Sequence, residues 1–422
     1  MSASVRNSLV AICVFTCCLW LAHIDSYAQA PIQAGQVILS ELRLRGPVGA
    51  EDEFVELYNN TDHDIFVQAL DTTGGWSIAI SNGQITGPIF TIPNGTRIPA
   101  RGHLLGANTN GYSLSGYPSG NPTATNSVNI AISPFALTTP DRTWDFDVPD
   151  GSGVALFATT SGTNFTAATR LDAFGFTSAP ALYKEGNGFP SIVTANTEHT
   201  YYRDLKNVTP KDTNDNAADF RLVGTSINIQ VTLLGAPGPE NLNSPIVNNS
   251  TIPATLLDPN VASSQPPNRE RRTTVEPNAD LGTLLIRRTF TNNTGMPVSR
   301  LRFRVIDITT LGSPNECGGP CADVRALTSQ DSEASVGGQL VTVRGIRLEE
   351  PPQQPAGGGF NASLSADFIT LPAPLAAGAS VNIVFELGVM RAGSFRFFVI
   401  VEAQSAPAVP ALRNPQRKPR LY

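Results

Sequence analysis

The sequence predicts an all-β protein with two β-sandwiches, and three observations lead to this fold class. Only 15% of the residues are charged, whereas 36 glycines and 33 prolines make the chain rich in turn-forming residues. Short runs of alternating apolar and polar residues recur between turns, about every 8 to 12 residues, which is typical of sandwiches and barrels. A length of 422 residues exceeds one ordinary domain. We therefore expect two cores.

The first thirty residues have the features of a secretory signal peptide. Arg6 precedes an apolar run from Leu9 to Ala22, and Ala28 and Ala30 form a small-x-small cleavage signal. The apolar run is shorter than the roughly 20 residues that a membrane span needs. We predict that residues 1–30 are removed after Ala30 and that the protein is secreted, or periplasmic or extracellular. An uncleaved N-terminal anchor is the alternative.

Two cysteines remain after this predicted cleavage. Cys317 and Cys321 lie in the segment ECGGPCA. In an exported protein such a close pair predicts a local disulfide. A redox pair or half of a zinc site is the alternative, but the CxxxC spacing differs from CxxC and no second ligand pair lies nearby.

The first two predicted strands lie within the segment VILSELRLRGPVGAEDEFVELYNN. Val37–Arg45 alternates apolar and polar residues, Gly46 and Pro47 interrupt it, and Glu53–Tyr58 resumes the alternation. Asn59–Asp62 ends the second run with residues that favour turns. The alternation predicts two strands buried on one face only.

Glu41 and Glu56 lie in these adjacent strands and invite comparison with a glycosidase. Such enzymes use two carboxylates about 5 to 10 Å apart. Arg43 and Arg45 lie beside Glu41 in sequence. We interpret the two acids as structural, paired with these arginines.

Alternating runs with turns continue from Ile65 to Ala107, and Trp76 lies in one of them, which predicts a core position between sheets. The most distinctive residues are Ser40-Glu41, Glu53–Asn59, Trp76, Pro93–Thr96, Pro99, Gly102, Gly153–Leu156 and Asp172–Gly175. Together they resemble the lamin tail domain, an immunoglobulin-like β-sandwich of nuclear lamins and of many exported bacterial proteins. The resemblance covers about residues 34–176. It implies an immunoglobulin-like sandwich over residues 31–240 of an exported bacterial protein.

Residues 108–150 depart from this resemblance as a long insertion. The insertion is rich in Gly, Ser, Thr, Asn and Pro, and it carries four aromatic residues, Tyr112, Tyr117, Trp144 and Phe146. Long loops are often functional. A binding loop for sugar or peptide is one interpretation, and an ordered cover over the end of the sandwich is the favoured one.

One loop has oxygen ligands at spacings similar to those of a calcium loop. Asp212, Asn214, Asn216 and Asp219 follow the pattern D-x-N-x-N-x-x-D. An EF-hand loop also needs Gly at its sixth position and a carboxylate at its twelfth, where this chain has Ala217 and Val223. The alternative is a turn in which Asp and Asn side chains cap backbone amides. Calcium is the only metal we consider, and we predict no other cofactor.

Beyond the first domain the chain falls into three segments that differ in amino-acid composition. Residues 241–280 are rich in Pro, Ser, Asn and Thr and predict a linker, with Arg269–Arg272 as its charge cluster. Residues 281–405 carry six or seven predicted strands and suggest a second β-sandwich. The turn Asn292–Gly295 predicts a hairpin. Residues 406–422 are Pro-rich and basic and predict a disordered tail.

Five arginines make the second half locally basic. They are Arg287, Arg288, Arg300, Arg302 and Arg304. They suggest either a surface for an anionic polymer or a solvated sheet face paired with Glu349, Glu350 and Glu386. The net charge of -6 gives no electrostatic reason to expect nucleic-acid binding.

The sequence carries no recognisable catalytic motif. Its histidines are far apart, with no HExxH, and it contains no GxSxG, P-loop or dinucleotide fingerprint. We therefore expect a secreted structural or binding protein without enzymatic activity, which interacts with an unknown extracellular protein or polymer. The alternative is an accessory module that binds nucleic acid or polysaccharide beside a separate hydrolase.

Overall fold

The computed structural model describes residues 30–115, 139–349, 354–365 and 374–405. In these ranges the chain is nearly all β-strand. Its helical parts are one short α-helix, α1 (Asn216–Asp219), and two 3-10 turns, Gly162–Asn164 and Ala181–Tyr183. From Gln33 onward the chain forms one compact unit. The described residues include no helix that is long and apolar enough to cross a membrane. The predicted signal peptide and tail lie outside the described residues.

The described residues of the first half of the unit form twelve strands. In chain order they are β1 Val37–Arg43, β2 Phe54–Asn59, β3 Ile65–Phe66, β4 Gly75–Ser81, β5 Thr86–Pro93, β6 Arg97–Ile98, β7 His103–Asn108, β8 Arg142–Trp144, β9 Gly153–Phe157, β10 Arg170–Phe174, β11 His199–Arg203 and β12 Phe220–Gly224. One sheet has the order β12-β11-β1-β2-β7-β8, and a second has the order β10-β9-β4-β5. Among the described strands of these two sheets, β7 and β8 pair in parallel and the other neighbours pair antiparallel. β3 and β6 form a small separate pair.

Aromatic side chains join the two sheets of this first sandwich. Phe174 of β10 lies with its ring centroid 5.3 Å from Tyr201 of β11, and Phe90 of β5 stacks on Trp144 of β8 at 5.7 Å. Trp76 is fully buried, as predicted, and its Nε1 donates to the Gln68 carbonyl at 2.8 Å. Such pairs bury large apolar areas, which is the dominant favourable contribution to folding.

The prediction of half-buried first strands is wrong. Every residue of β1 and β2 is buried. One face of these strands packs inside the first sandwich, and the other carries Glu41 and Glu56, which face residues of the second half of the chain. Alternation of polarity indicates which residues share a face, but a polar face can still be covered by another polar surface.

The second half contains another twelve strands. They are β13 Ile246–Val247, β14 Ala254–Leu256, β15 Arg269–Arg271, β16 Thr283–Thr291, β17 Val298–Ile308, β18 Asp323–Leu327, β19 Ser332–Val336, β20 Gln339–Val343, β21 Arg347–Leu348, β22 Ser363–Ser365, β23 Ser380–Arg391 and β24 Phe397–Ser405. One sheet has the order β13-β24-β17-β22-β21. Its partner has the order β14-β16-β23-β18, with β15 also paired to β16. Phe303 of β17 contacts Phe290 of β16 and Phe385 of β23, with ring centroids 4.9 and 5.1 Å away. These contacts join the two sheets into the second sandwich.

Two expectations about this half are corrected. Residues 241–280, expected to be a linker, contribute β13, β14 and β15, which pair with β24 and β16. These strands have only two or three residues, too few for a readable alternation. The turn Asn292–Gly295 makes no hairpin, because β16 and β17 lie in different sheets and the turn connects them.

Candidate functional site

The largest group of buried charges lies where residues of the two sandwiches meet, and we call it the ionic network. Its members are less than a tenth exposed. They are Glu41 of β1, Glu56 of β2, His103 of β7, Glu240, Arg302 and Arg304 of β17, Glu349 and Glu402 of β24.

Glu240 is the acid that joins the two halves of the network. Its carboxylate accepts from Arg302 Nη1 at 2.6 Å and lies 2.9 Å from both Arg304 Nη2 and His103 Nε2. Burial alone would raise the pKa of Glu240, but the facing Arg304, His103 and Arg302 charges outweigh burial and hold it well below its usual range. Glu240 is therefore an anion that neutralises cations from both sandwiches.

His103 bridges two carboxylates. Its Nδ1 lies 3.0 Å from Glu56 Oε1 and its Nε2 lies 2.9 Å from Glu240 Oε2. Burial disfavours a charged imidazole, but the two carboxylates reverse this effect and raise the pKa of His103 to about 10. The ring is therefore an imidazolium that donates from both nitrogens. In this state it has no lone pair for a metal ion, although the atoms of Glu56, His103 and Glu240 lie within 4.8 Å of one another.

Glu41 completes the network from the first sandwich. Its Oε1 accepts from the Gly238 amide at 2.8 Å, and its Oε2 accepts from Asn361 Nδ2 at 3.0 Å. Burial, with the neighbouring charge of Glu56, raises the pKa of Glu41 to about 7 although Arg304 opposes the rise. A buried carboxyl in this environment can take up a proton near neutral pH.

The two arginines of β17 also contact two further carboxylates. Arg304 Nε donates to Glu402 at 2.8 Å and Arg302 Nε donates to Glu349 at 3.1 Å. Beside the network lies a cavity of about 30 Å³, lined in part by Glu41, Glu56 and His103. It has room for a water molecule but not for a sugar residue. The geometry therefore favours a structural role for Glu41 and Glu56 over a glycosidase pair.

The pairing partners expected for these acids are different in the structure. Arg43 makes buried ion pairs with Asp52 and Glu198, and Arg45 Nε donates to Asp150 at 2.8 Å. Neither arginine is the partner found for Glu41, whose nearest guanidinium belongs to Arg304, 3.9 Å away. Proximity in sequence misleads here: Glu41 and Arg43 are two apart and share a face of β1, yet their charges are paired with residues from other parts of the chain.

The arginines expected on a solvated or polymer-binding face are mostly buried. Arg287, Arg300, Arg302 and Arg304 are each less than a tenth exposed. Of the acids expected beside them, Glu349 does pair with Arg302; Glu350 lies outside the described residues. The expected solvated face is therefore wrong for these four. Arg302 and Arg304 contact Glu240, and Arg287 contacts Glu270.

Three of the four predicted calcium ligands, Asn214, Asn216 and Asp219, lie in a capped turn. Asp219 accepts from the Thr213 amide and hydroxyl, both at 2.7 Å, and Asn216 Oδ1 accepts from the Gly175 and Glu185 amides, both at 2.9 Å. Asn214 has a left-handed backbone, with φ of 60°. These oxygens are engaged by N–H and O–H donors, an arrangement that suits the capped-turn alternative.

Asp212, the fourth predicted ligand, belongs to a different cluster. Its carboxylate lies within 4.8 Å of the Asp172 and Glu185 carboxylates. Arg203 lies among these acids, with Nη2 donating to Asp172 at 2.6 Å and Nη1 donating to Asp212 at 3.3 Å. Burial, with the nearby Asp172 charge, raises the pKa of Glu185 to about 9. A guanidinium thus already supplies positive charge where a cation would bind. Calcium at this loop stays a prediction.

Glu53 anchors both described ends of the insertion 108–150. Its carboxylate accepts from Asn108 Nδ2 at 2.8 Å, from Trp144 Nε1 at 3.0 Å and from the Val148 amide at 2.8 Å. Tyr112 packs edge-on against Phe54. Tyr117 and residues 116–138 lie outside the described residues. The ends of the insertion are therefore part of the first sandwich.

Cys317 and Cys321 are bonded as predicted, with their Cα atoms 5.4 Å apart. The disulfide closes the loop between β17 and β18. Sequence reasoning missed His103 and Glu240 altogether. Glu240 is one charged residue in the apolar and Gly/Pro-rich segment LGAPGPE, and this contrast is the only signal that could have indicated it.

Comparison with known proteins adds no family assignment. No protein-family model matches the chain, and no curated protein matches it. The resemblance to the lamin tail domain therefore stays a prediction.

Proposed function

We propose that this is an exported protein without enzymatic activity that acts as a structural or binding protein outside the cell or in its envelope. The observation that carries the proposal is the pairing of opposite charges within the ionic network. The constellation that most resembles acid-base machinery has its carboxylates paired with Arg302, Arg304 and the imidazolium of His103. Buried groups paired in this way are suited to holding two surfaces together.

The network supports a specific form of this role. Its members come from β1, β2 and β7 on one side and from β17 and β24 on the other. Buried ion pairs stabilise little against apolar contacts, but they impose a unique pairing, since any slip leaves a buried charge unpaired. We therefore propose a platform in which two sandwiches are presented to partners as one rigid body. The predicted signal peptide and lamin-tail resemblance support the exported, non-catalytic assignment.

Calorimetry tests the platform. The chain from residue 31 onward should unfold in one transition whose calorimetric and van't Hoff enthalpies agree. Glu240→Gln should split the transition or lower its cooperativity, whereas Glu270→Gln, at a part-exposed ion pair with Arg287, should not. Two independent transitions in the unsubstituted protein would contradict the rigid platform.

Substrate screening tests the absence of catalysis. The purified chain is assayed with chromogenic glycosides, esters, phosphodiesters and peptides, with Glu56→Gln as the matched control. We expect no turnover that depends on Glu56. Turnover abolished by Glu56→Gln would overturn the proposal and restore the carboxylate-pair interpretation.

A further inference from the structure

Between its two sheets the second sandwich contains a groove of about 520 Å³. Ile286, Arg288 and Phe290 of β16 line one wall, with Phe385 of β23. Phe397, Val399 and Val401 of β24 line the opposite wall. Residues two apart on a strand lie on the same face of the sheet. Both walls are therefore inner faces of the two sheets, which in a closed sandwich would pack against each other. The volume lies in the range of small-molecule sites.

The walls are predominantly apolar and aromatic. Phe290 and Phe385 are buried beneath the groove, whereas Phe397 is half-buried and the nearby Phe398 is 56% exposed. Aromatic side chains that remain partly open to solvent lose the stabilisation that burial would give them. An apolar ligand that covered them would recover this stabilisation.

Two arginines make the groove positive. Arg288 projects between Ile286 and Phe290, and its Nη1 donates to two main-chain oxygens, of Arg287 at 2.7 Å and of Asn268 at 3.5 Å. Arg269 lies over the Phe395 ring at 6.0 Å. In the described part of the chain neither side chain forms an ion pair with a carboxylate.

The third arginine of the groove differs. Arg396 Nε donates to Asp307 at 2.9 Å, and its Nη2 lies 3.5 Å from Glu316. Arg288 has no such carboxylate among the described residues, and burial with the neighbouring Arg269 charge lowers its pKa. A half-buried cation on an apolar wall is costly unless an anion pairs with it.

We propose that this groove binds a single-chain amphiphile with an anionic head group. The head group would pair with Arg288 and Arg269, and the apolar chain would lie over Phe290, Phe385 and Phe397. A neutral apolar ligand would leave the two cations unpaired, and a cationic one would be repelled. A polar anion such as a sugar acid would leave the aromatic wall uncovered. The inference extends the proposed binding role with a ligand class, and its failure would leave the rigid platform intact.

The test is isothermal titration of the chain from residue 31 onward with dodecanoate, dodecyl phosphate, dodecanol and dodecyltrimethylammonium. We expect the two anions to bind, and dodecanol and the cation to bind at least about 10-fold more weakly. The tighter of the two anions identifies the head group. Saturable binding of dodecanol as strong as that of dodecanoate, or no binding of either anion below about 1 mM, would overturn the proposal.

Matched variants locate the site. Arg288→Gln and, separately, Arg269→Gln should weaken binding of the preferred anion about 10- to 100-fold, because each removes a charged hydrogen-bond donor. Arg288→Lys should retain part of the affinity. Arg344→Gln, whose arginine pairs with Asp331 outside the groove, should bind like the unsubstituted protein. Arg269 is half-buried near the mouth of the groove, so its variant remains informative if Arg288→Gln fails to fold. Unchanged affinity in Arg269→Gln and in any folded Arg288→Gln would overturn the assignment to this groove.

Discussion

The arginines of the second sandwich occupy two contrasting environments. Arg302 and Arg304 are almost wholly buried and contact Glu240, Glu349 and Glu402. Arg269 and Arg288 are half-buried in an aromatic groove, and their described neighbours include no paired carboxylate. Arginine charges are therefore compensated by carboxylates in the ionic network, whereas the described residues of the groove provide no such compensation for Arg269 and Arg288.

This comparison shows how a buried charge can be interpreted. A guanidinium surrounded by carboxylates has its charge compensated inside the molecule, so its removal should damage the fold. A guanidinium that contacts only rings and main-chain oxygens carries a charge that the protein has not compensated, which points to a ligand. Removal of a guanidinium from the ionic network should therefore lower stability. Removal of one from the groove should lower ligand affinity and leave stability nearly unchanged.

The largest effect is expected from Glu240→Ala in the ionic network. The substitution removes the acid that His103, Arg302 and Arg304 share, which should lower the free energy of unfolding by about 4 kcal/mol. Urea denaturation measures the change. Arg344→Ala, which breaks an exposed ion pair with Asp331, should cost no more than about 1 kcal/mol. Equal losses in both variants would mean that the buried network stabilises the fold no more than a surface ion pair does.

A rise in pH should destabilise the network next. The pKa of His103 is raised from 6.5 to about 10, so its stabilisation is complete below pH 6.5 and is lost as pH rises through 10. Glu185, with its pKa raised to about 9, holds a proton in the folded state over the same range and changes stability in the same direction. We expect His103 alone to account for a loss of about 2 kcal/mol between pH 6.5 and about pH 8.5, and Glu185 to add to this loss.

Urea denaturation of His103→Gln checks this expectation. The variant removes the titrating ring, so the slope of unfolding free energy against pH should become shallower. A slope equal to that of the unsubstituted protein would show that His103 does not carry the effect.

A smaller effect of opposite sign is expected in the groove. Arg288→Leu replaces an uncompensated cation with an apolar side chain between Ile286 and Phe290, which should leave stability unchanged or raise it by up to about 1 kcal/mol. Arg304→Leu should lower it by at least about 3 kcal/mol. The two variants are compared by urea denaturation. Loss of stability in both would mean that Arg288 is also a structural residue.

The smallest effect is expected from calcium. Arg203 already lies among Asp172, Asp212 and Glu185, so the melting temperature in millimolar calcium and in excess chelator should agree within about 1 °C. A rise of several degrees with calcium, abolished by Asp212→Asn, would instead support the calcium site predicted from the sequence.

Local sequence patterns correctly predicted the features that depend on residues close together in the chain. Strands β1, β2 and β4 follow alternating runs, Trp76 is in the core, and Cys317 bonds to Cys321. The ligand-like oxygens near Asp219 could not be interpreted in the same way, because a capped turn and a calcium loop use the same residues at similar spacings. Only their hydrogen-bond partners distinguish the two.

Contacts between distant segments account for the features that prediction missed. Glu41 meets Asn361, 320 positions away, and Glu240 meets His103 and Arg302. Nothing in the segment LGAPGPE indicates that its glutamate will meet cations from two sandwiches. The edge strands β13, β14 and β15 were missed for a related reason, since each is shorter than one readable period of alternation and is stabilised by its partner strand.

Strand periodicity, turn residues and cysteine spacing act over short distances, so they were enough to predict an all-β chain with two sandwiches and the disulfide. Whether a charge is compensated depends instead on its burial and on its distance to an opposite charge. Both are set by strands far apart in the chain, so they are visible only in the tertiary structure. The hairpin of Glu41 and Glu56 therefore belongs to a structural joint, and the uncompensated Arg269 and Arg288 indicate where a ligand should be sought.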